Sequence, residues 1–311
     1  MKLKQLAAVA ALAGAAAFGP AAHAVGVLTF DPSATNVGAT NVGGGAAGAL
    51  GTKAAFDLDQ ATLTYAGKLD VALSRANSIG GGFGGGSTWA ESANIKLTQF
   101  SLGGVEIDPL VTGLNKSLAS GEYDLYATFL ATGTGIWLSN SNFTVASITN
   151  ITVKFYASPM GATLETLGDP TNGTDATGGV TIPLDNVLLG VSTYVNDGTA
   201  LGSASGLAGG RGSTSLTATL DFTPSAGTTG ATGFFQGPDP FVIAIGSQAG
   251  GNTLNTSVSA NGAGVRWTTQ NANRGGGSLT FAVVPEPGAL ALVGLALAAA
   301  GIASRRKSKT A

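Results

Sequence analysis

The run LTATLDFT, residues 216–223, decides how this chain folds. Leu216, Ala218, Leu220 and Phe222 alternate with Thr217, Thr219, Asp221 and Thr223. At the two-residue repeat of a strand, every apolar side chain falls on one face and every polar one on the other. At the 3.6-residue repeat of a helix the same side chains would scatter around the axis, and threonine is a poor helix former. The segment predicts a β-strand with one buried face.

Working outward, the same alternation recurs. Ile151, Val153 and Phe155 alternate with Thr152, Lys154 and Tyr156. Leu69, Val71 and Leu73 repeat the pattern, as do Tyr123, Leu125, Ala127 and Phe129, then Phe241, Ile243 and Ile245, then Leu279, Phe281 and Val283. No stretch between them carries an apolar stripe at helical spacing long enough for a major helix. Asn172-Gly173, Asn261-Gly262, Asp197-Gly198 and the glycine groups at 43–45, 80–86, 209–210 and 275–277 supply turn and loop chemistry. The expectation is an all-β domain from 25 to 284: an antiparallel β-sandwich, jelly-roll-like, with long glycine-rich loops. A mobile loop is expected from Gly80 to Ser87, and no internal repeat points to a propeller or solenoid.

The chain has 311 residues, of which 44% are hydrophobic, enough to build a sizeable core. Its charge is segregated. Lys2 and Lys4 stand at one extreme, Arg305, Arg306, Lys307 and Lys309 at the other, and residues 25–284 keep nine basic residues against sixteen acidic ones. A middle of net −7 has no basic stripe to neutralise phosphates, so nucleic acid is not a partner. The absence of cysteine excludes disulfides, thiolate zinc sites and cysteine nucleophiles.

Both ends carry addresses. Lys2 and Lys4, the apolar Leu6–Phe18 and the helix break at Gly19-Pro20 lead to Ala22-His23-Ala24. That is a signal peptide spanning 1–24, with signal peptidase reading Ala22 and Ala24 and cutting after Ala24. His23 is the only histidine, so the mature chain has no imidazole for a Ser-His-Asp triad or a zinc site. At the other end, Gly288 to Ser304 is an uncharged run of seventeen residues, about 25 Å as a helix. That is marginal for a hydrocarbon core about 30 Å thick. Arg305, Arg306 and Lys307 follow as a cytoplasmic basic stop within the tail 305–311, which places Val25 to Glu286 on the far side of the inner membrane. Just before the run, Pro285-Glu286-Pro287 is held extended and non-helical, with one carboxylate displayed at the membrane face.

Val-Pro-Glu-Pro-Gly, the apolar segment with Leu290-Ala291-Leu292-Val293-Gly294-Leu295, and then Arg305-Arg306-Lys307 together resemble a PEP-CTERM sorting signal over 285–311. The resemblance implies export by the Sec pathway of a Gram-negative bacterium and a precursor held transiently in the inner membrane. An exosortase-type membrane protease would then cut near Pro285, Glu286 and Pro287 and send the protein to the cell surface or extracellular matrix. Two further stretches, Leu28-Thr29-Phe30-Asp31-Pro32 and residues 241–253, are similar to flocculation-associated PEP-CTERM proteins. That subgroup is implicated in holding cells to exopolysaccharide in flocs or biofilm.

Candidate chemistry in the middle is limited to oxygen ligands and aromatic rings. Asp57 and Asp59, Glu106 and Asp108, and Glu122 and Asp124 form i, i+2 pairs that share a strand face. Paired acids serve glycoside hydrolysis, but two carboxylates on one strand do not flank a sugar ring, and acids also guard sheet edges. Asp169, Asn172 and Asp175 surround a glycine with oxygen ligands suited to Ca²⁺, although the loop departs from the EF-hand pattern and also reads as an Asx-rich turn. Trp89, Trp137 and Trp267, with Tyr65, Tyr123, Tyr126, Tyr156 and Tyr194, offer either sugar-stacking rings or core filler. Asn115, Asn142, Asn150, Asn172 and Asn255 head Asn-x-Ser/Thr sequons. The reading that joins these observations is an exported, non-enzymatic surface or matrix protein without a catalytic site or cofactor, its partners signal peptidase, an exosortase and exopolysaccharide. A lectin-like module and then a glycoside-processing enzyme are the alternatives.

Overall fold

The computed structural model describes residues 24–34, 38–74, 86–116, 118, 120–139, 142–161, 166–167, 180–195, 201–205, 212–228, 233–236, 241–251, 254–261 and 264–283. Val25–Ala282 forms one compact unit. A second unit, 1–24 with 283–311, lies outside the described residues except for Ala24 and Val283.

The strands are β1 (Ala24–Val25), β2 (Leu28–Phe30), β3 (Phe56–Leu58), β4 (Gln60–Ser74), β5 (Gly86–Leu102), β6 (Val105–Glu106), β7 (Asp124–Ser139) and β8 (Asn142–Ser158). They continue with β9 (Thr166–Leu167), β10 (Val180–Thr181), β11 (Val187–Tyr194), β12 (Leu201–Ser205), β13 (Gly212–Pro224), β14 (Phe241–Gly251), β15 (Leu254–Asn261) and β16 (Gly264–Val283). One short helix, α1 (Pro109–Thr112), is capped by Asp108, whose Oδ1 accepts from the Leu110 N–H at 2.9 Å. It ends at Gly113 with φ of 70°.

The main sheet runs β16-β14-β13-β11-β8-β7-β5-β4 and then returns, because β16 pairs antiparallel with β4 from Gly264↔Ser74 to Thr280↔Gln60. β12 lies in line with β11, pairing with both β13 and β8. β15 pairs with β16, and β6 extends β5. The expected antiparallel all-β architecture is present, with one correction. The described strands do not form two facing sheets; one sheet curls until its ends meet. Alternation specifies only that each strand has one apolar face, which a sandwich and a closed ring bury equally well. Closure also removes the unpaired edges that an open sheet would present.

The alternation turns out as expected where side chains are described. Leu216, Ala218, Leu220 and Phe222 are buried, as are Ile151, Val153 and Phe155, Leu125, Ala127 and Phe129, and Leu279 and Phe281. Thr217, Asp221, Thr223 and Lys154 face water, joined by Thr62, Thr64 and Thr88 on β4 and β5. Among the described side chains, the inward face is apolar and the outward face rich in hydroxyls. Where β7 crosses β5, the indole of Trp89 packs over Gly133; a Cβ there would collide with it and with the Ser147 carbonyl.

One end of the ring is plugged by the β2–β3 hairpin, registered from Leu28↔Leu58 to Phe30↔Phe56. Phe30 is the hub of that plug, with ring centroids 6.0 Å from Phe56, 6.2 Å from Phe100, 6.3 Å from Phe234 and 5.4 Å from Phe235. The Leu28–Pro32 stretch is thus core, with Asp31 Oδ2 accepting from Gln236 Nε2 at 2.6 Å.

Two local expectations are corrected. Residues 275–277 do not form a turn: Gly275, Gly276 and Gly277 pair with Tyr65, Thr64 and Leu63 inside β16, after a register shift between Asn271 and Gly275. Tyr156, expected to face water beside Lys154, is buried on the outer wall, stacked on Tyr126 at 5.4 Å and covered by Ile182 and Leu188. Asn186 Nδ2 donates to the Tyr126 hydroxyl at 2.7 Å and fastens that cover. The 43–45 turn is present: Asn41 Oδ1 accepts from the Gly45 N–H at 2.7 Å, and Gly44 has φ of 84°. The turns at 172–173, 197–198 and 209–210, Gly262 of the 261–262 turn, and residues 80–85 of the expected Gly80–Ser87 loop lie outside the described residues, while Gly86 and Ser87 are not loop but the start of β5.

Phe222 touches Phe155 and Phe235 at 5.7 Å and 5.5 Å. Phe222→Ala is expected to lower unfolding free energy by about 3–5 kcal/mol, whereas the outward Thr217→Ala should stay within about 0.5 kcal/mol of the parent. Urea titration followed by tryptophan fluorescence measures both.

Candidate functional site

Five of the six paired acids take up separate structural tasks. Asp57 accepts from the Thr29 hydroxyl at 2.6 Å across the β2–β3 hairpin. Asp59 accepts from the Gly103 N–H at 2.8 Å and holds the turn between β5 and β6. Glu106 is exposed on β6, and Asp108 caps α1. Glu122 accepts from both the N–H and the hydroxyl of Thr52, the latter at 2.7 Å, and faces Lys53 Nζ at 3.6 Å. Burial alone would raise its pKa, but Thr52 and the Lys53 ammonium hold the carboxyl below its ordinary value. Asp124 is buried, paired with Lys96 Nζ at 3.2 Å and accepting from the Lys116 N–H at 3.0 Å.

The aromatic candidates that can be described are core. Trp89, Tyr123, Tyr126 and Tyr156 are buried, and Tyr194 packs against the core. Trp89 Nε1 donates to the Thr134 carbonyl at 3.2 Å. Asn115 adopts φ of 76°, and Asn150 lies exposed on β8. Inside the plugged end a cavity of about 30 Å³, lined by Leu28, Phe30, Leu97, Phe155, Phe222 and Phe281 among others, has no polar lining. It is a packing void of roughly one water's size without partners for a water. Among the described residues no cluster of acids and histidine could hold a metal ion. Asp169, Asn172 and Asp175 lie outside them, as do the side chains of Tyr65, Trp137 and Trp267 and the sequons at Asn142, Asn172 and Asn255 as side chains.

One carboxylate was not singled out from the sequence. Glu91 sits on β5 in the inward register of Trp89, Ala93, Ile95 and Leu97, opposite Ala131 of β7 and Leu69 of β4. Desolvation raises its pKa to about 7. The signal was available: an acid interrupting an otherwise apolar two-residue alternation.

The last feature is where the chain leaves the barrel. The Phe281 N–H donates to the Asp59 carbonyl at 2.9 Å, and its own carbonyl accepts from the Gly26 N–H at 3.2 Å. The first and last strands of the compact unit are therefore tied at one place, at the plugged end. Ala24 begins at β1; Ala22, Pro285, Glu286, Pro287, Arg305, Arg306 and Lys307 lie outside the described residues. Among the described residues no helix is long and apolar enough to cross a membrane, and 288–304 is not among them.

Residues 283–307, which begin two residues beyond Phe281, match the family model described as the PEP-CTERM protein-sorting motif. The chain carries the sorting signal of an exosortase substrate: an exported surface protein whose precursor is anchored in the membrane. No curated protein matches the sequence. Among solved structures, Ail, the attachment invasion locus protein of Yersinia pestis, is similar at 8% identity over 72% of this chain and 99% of that one, with a TM-score of 0.10. The same protein in complex with the heparin analogue sucrose octasulfate gives 8%, 72%, 99% and 0.11. Likeness at that level carries neither fold nor ligand across.

Glu91 makes stability depend on pH with a definite sign. Below its ordinary value of 4.5 the carboxyl is neutral in both the folded and the unfolded chain; between 4.5 and about 7 the unfolded chain ionises while the folded one stays protonated, so folding loses ground across that window and no further above it. Glu91→Gln is expected to flatten that decline and to stabilise the protein by about 1–3 kcal/mol at pH 8. Urea midpoints at intervals from pH 4.5 to 8, parent against variant, measure it.

Proposed function

We propose that this protein is a non-enzymatic component of the cell surface or extracellular matrix that links cells to exopolysaccharide in flocs or biofilm. Export runs through the Sec pathway, with signal peptidase cutting after Ala24. An exosortase then processes the precursor at or near Pro285-Glu286-Pro287, while Arg305, Arg306 and Lys307 anchor the tail on the cytoplasmic side. The observation that carries this reading is the sorting motif at 283–307, joined almost directly to the final strand of the barrel.

The chemistry of the wall supports the matrix role. Thr62, Thr64, Thr88, Thr134, Asn150, Thr217 and Thr223 face outward and offer many hydroxyl and amide groups, each able to exchange hydrogen bonds with a hydrated polymer. The dispersal of the acids into caps and turns supports the absence of glycoside chemistry, which needs two carboxylates flanking a sugar ring.

Intact-mass measurement of the protein from cell surface and medium tests the sorting step. The parent is expected to begin at Val25 and end near Val284–Gly288, and Glu286→Ala to keep the full tail. Deleting the gene should reduce cell aggregation while polymer synthesis continues; unchanged aggregation overturns the matrix role and leaves the sorting step standing.

A further inference from the structure

The plugged end of the barrel carries apolar side chains that the fold leaves in water. Val105 is 71% exposed, Leu110 62%, Val111 53%, Val27 49% and Leu102 38%. They do not cover the core, which the β2–β3 hairpin already closes from within. Burying several such side chains elsewhere is favourable by the ordinary hydrophobic effect, so a cluster of them marks a contact surface.

Their position follows from the ladder. Phe281 of β16 bonds to Asp59, Asp59 bonds to Ser101, and Ser101 and Leu102 pair with Glu106 and Val105. Leu102 on β5 therefore stands two strand spacings, about 10 Å, from the β16 exit, and Val105 on β6 three, about 15 Å. Gly26, next to Val27, bonds to Phe281 from the other side. Ile107 is fastened to Phe100, and α1 with Leu110 and Val111 follows it directly. The apolar residues thus surround the point where the chain leaves the barrel for the tail.

The length of chain beyond that point limits how far away a membrane can be. Six residues, 282–287, separate Phe281 from Gly288, where the uncharged run begins. Fully extended they reach no more than about 25 Å, and the polar interface of a bilayer leaflet occupies several ångströms of that distance. We infer that, in the tethered precursor, this end of the barrel rests on the lipid surface, with Val105, Leu110 and Val111 entering the interface. The inference depends on the reading that residues 288–304 span the membrane.

Charge selects the kind of surface. Asp57, Glu106 and Asp108 are exposed around the same end, and anionic headgroups would repel them. The surface is a zwitterionic one, of the phosphatidylethanolamine kind, bound by insertion of apolar side chains and not by attraction of charge. Release of the tail removes the tether, and the small apolar area alone gives only reversible attachment, so the contact lasts as long as the precursor does.

The absence of cysteine makes the test direct. Single-cysteine variants of the full chain, Val105→Cys, Leu110→Cys, Thr88→Cys and Ala291→Cys, are labelled with an environment-sensitive fluorophore. They are reconstituted in vesicles of phosphatidylethanolamine and phosphatidylcholine with brominated acyl chains. Quenching by the lipid is expected at positions 105, 110 and 291 and not at position 88, and replacing a third of the lipid with phosphatidylglycerol should reduce it at 105 and 110 alone. Quenching at 291 without quenching at 105 or 110 overturns the inference and leaves the spanning tail intact. No quenching at 291 overturns the spanning tail itself. Shielding of 105 from a water-soluble quencher without lipid quenching means that a second copy covers the patch, and that also overturns the inference. Circular dichroism of each labelled variant confirms that the barrel is folded.

Discussion

The pairing of β16 with β4 is the constraint on which the rest of the molecule depends. It brings residues 60–74 and 264–280, the beginning and end of the main sheet, into one ladder. Without it the sheet would keep two open edges and its apolar face would need a second layer to cover it. With it, Leu63, Trp89, Phe129, Val153, Leu220 and Leu279 face one another across a shared interior. The same pairing decides where the chain exits, since Phe281 is hydrogen-bonded on both sides immediately before the tail begins.

The plugged end is where the carboxylates are put to structural use. Asp31, Asp57, Asp59, Asp108, Glu122 and Asp124 each accept a hydrogen bond that fixes a turn, a cap or a loop against the barrel. A charged acceptor satisfying a backbone N–H is stronger than a neutral one, which suits an end made of short elements without long ladders. Glu91 is the exception. It lies in the inward register of a strand, where desolvation favours its neutral form, and pushes stability toward acidic conditions. Buried carboxyls are uncommon because desolvation disfavours the ionised form, so this side chain is the one place where the wall pattern and the chemistry of the residue disagree.

Sorting and fold fit each other in a simple way. The motif at 283–307 begins as the last strand ends, so a processing enzyme meets its substrate beside a folded barrel and not at the end of a long linker. Among the described residues, Trp89, Tyr123, Tyr126 and Tyr156 are buried, and the outward face carries many threonine hydroxyls.

Period-two alternation is a local property, and it was legible for LTATLDFT, for Ile151–Tyr156 and for Tyr123–Phe129, because each residue's face depends only on its neighbours along the strand. The sorting tail was legible for the same reason: its three parts are contiguous. By itself, then, the sequence determined the strands, their buried faces and the sorting signal at the C-terminal end. Closure was not legible, since Thr280↔Gln60 joins residues 220 apart and alternation is indifferent to which strand lies alongside. Nor was the fate of Gly275–Gly277, which a turn and a strand accommodate equally until β4 supplies the partner. Tyr156 was placed on the outer wall but not under cover, because Ile182 and Leu188 reach it only through space. The separate partners of most of the paired acids, the desolvation of Glu91 and the exposed apolar side chains near the exit were decided only by the tertiary structure, where hydrogen-bond partners and burial come from distant segments.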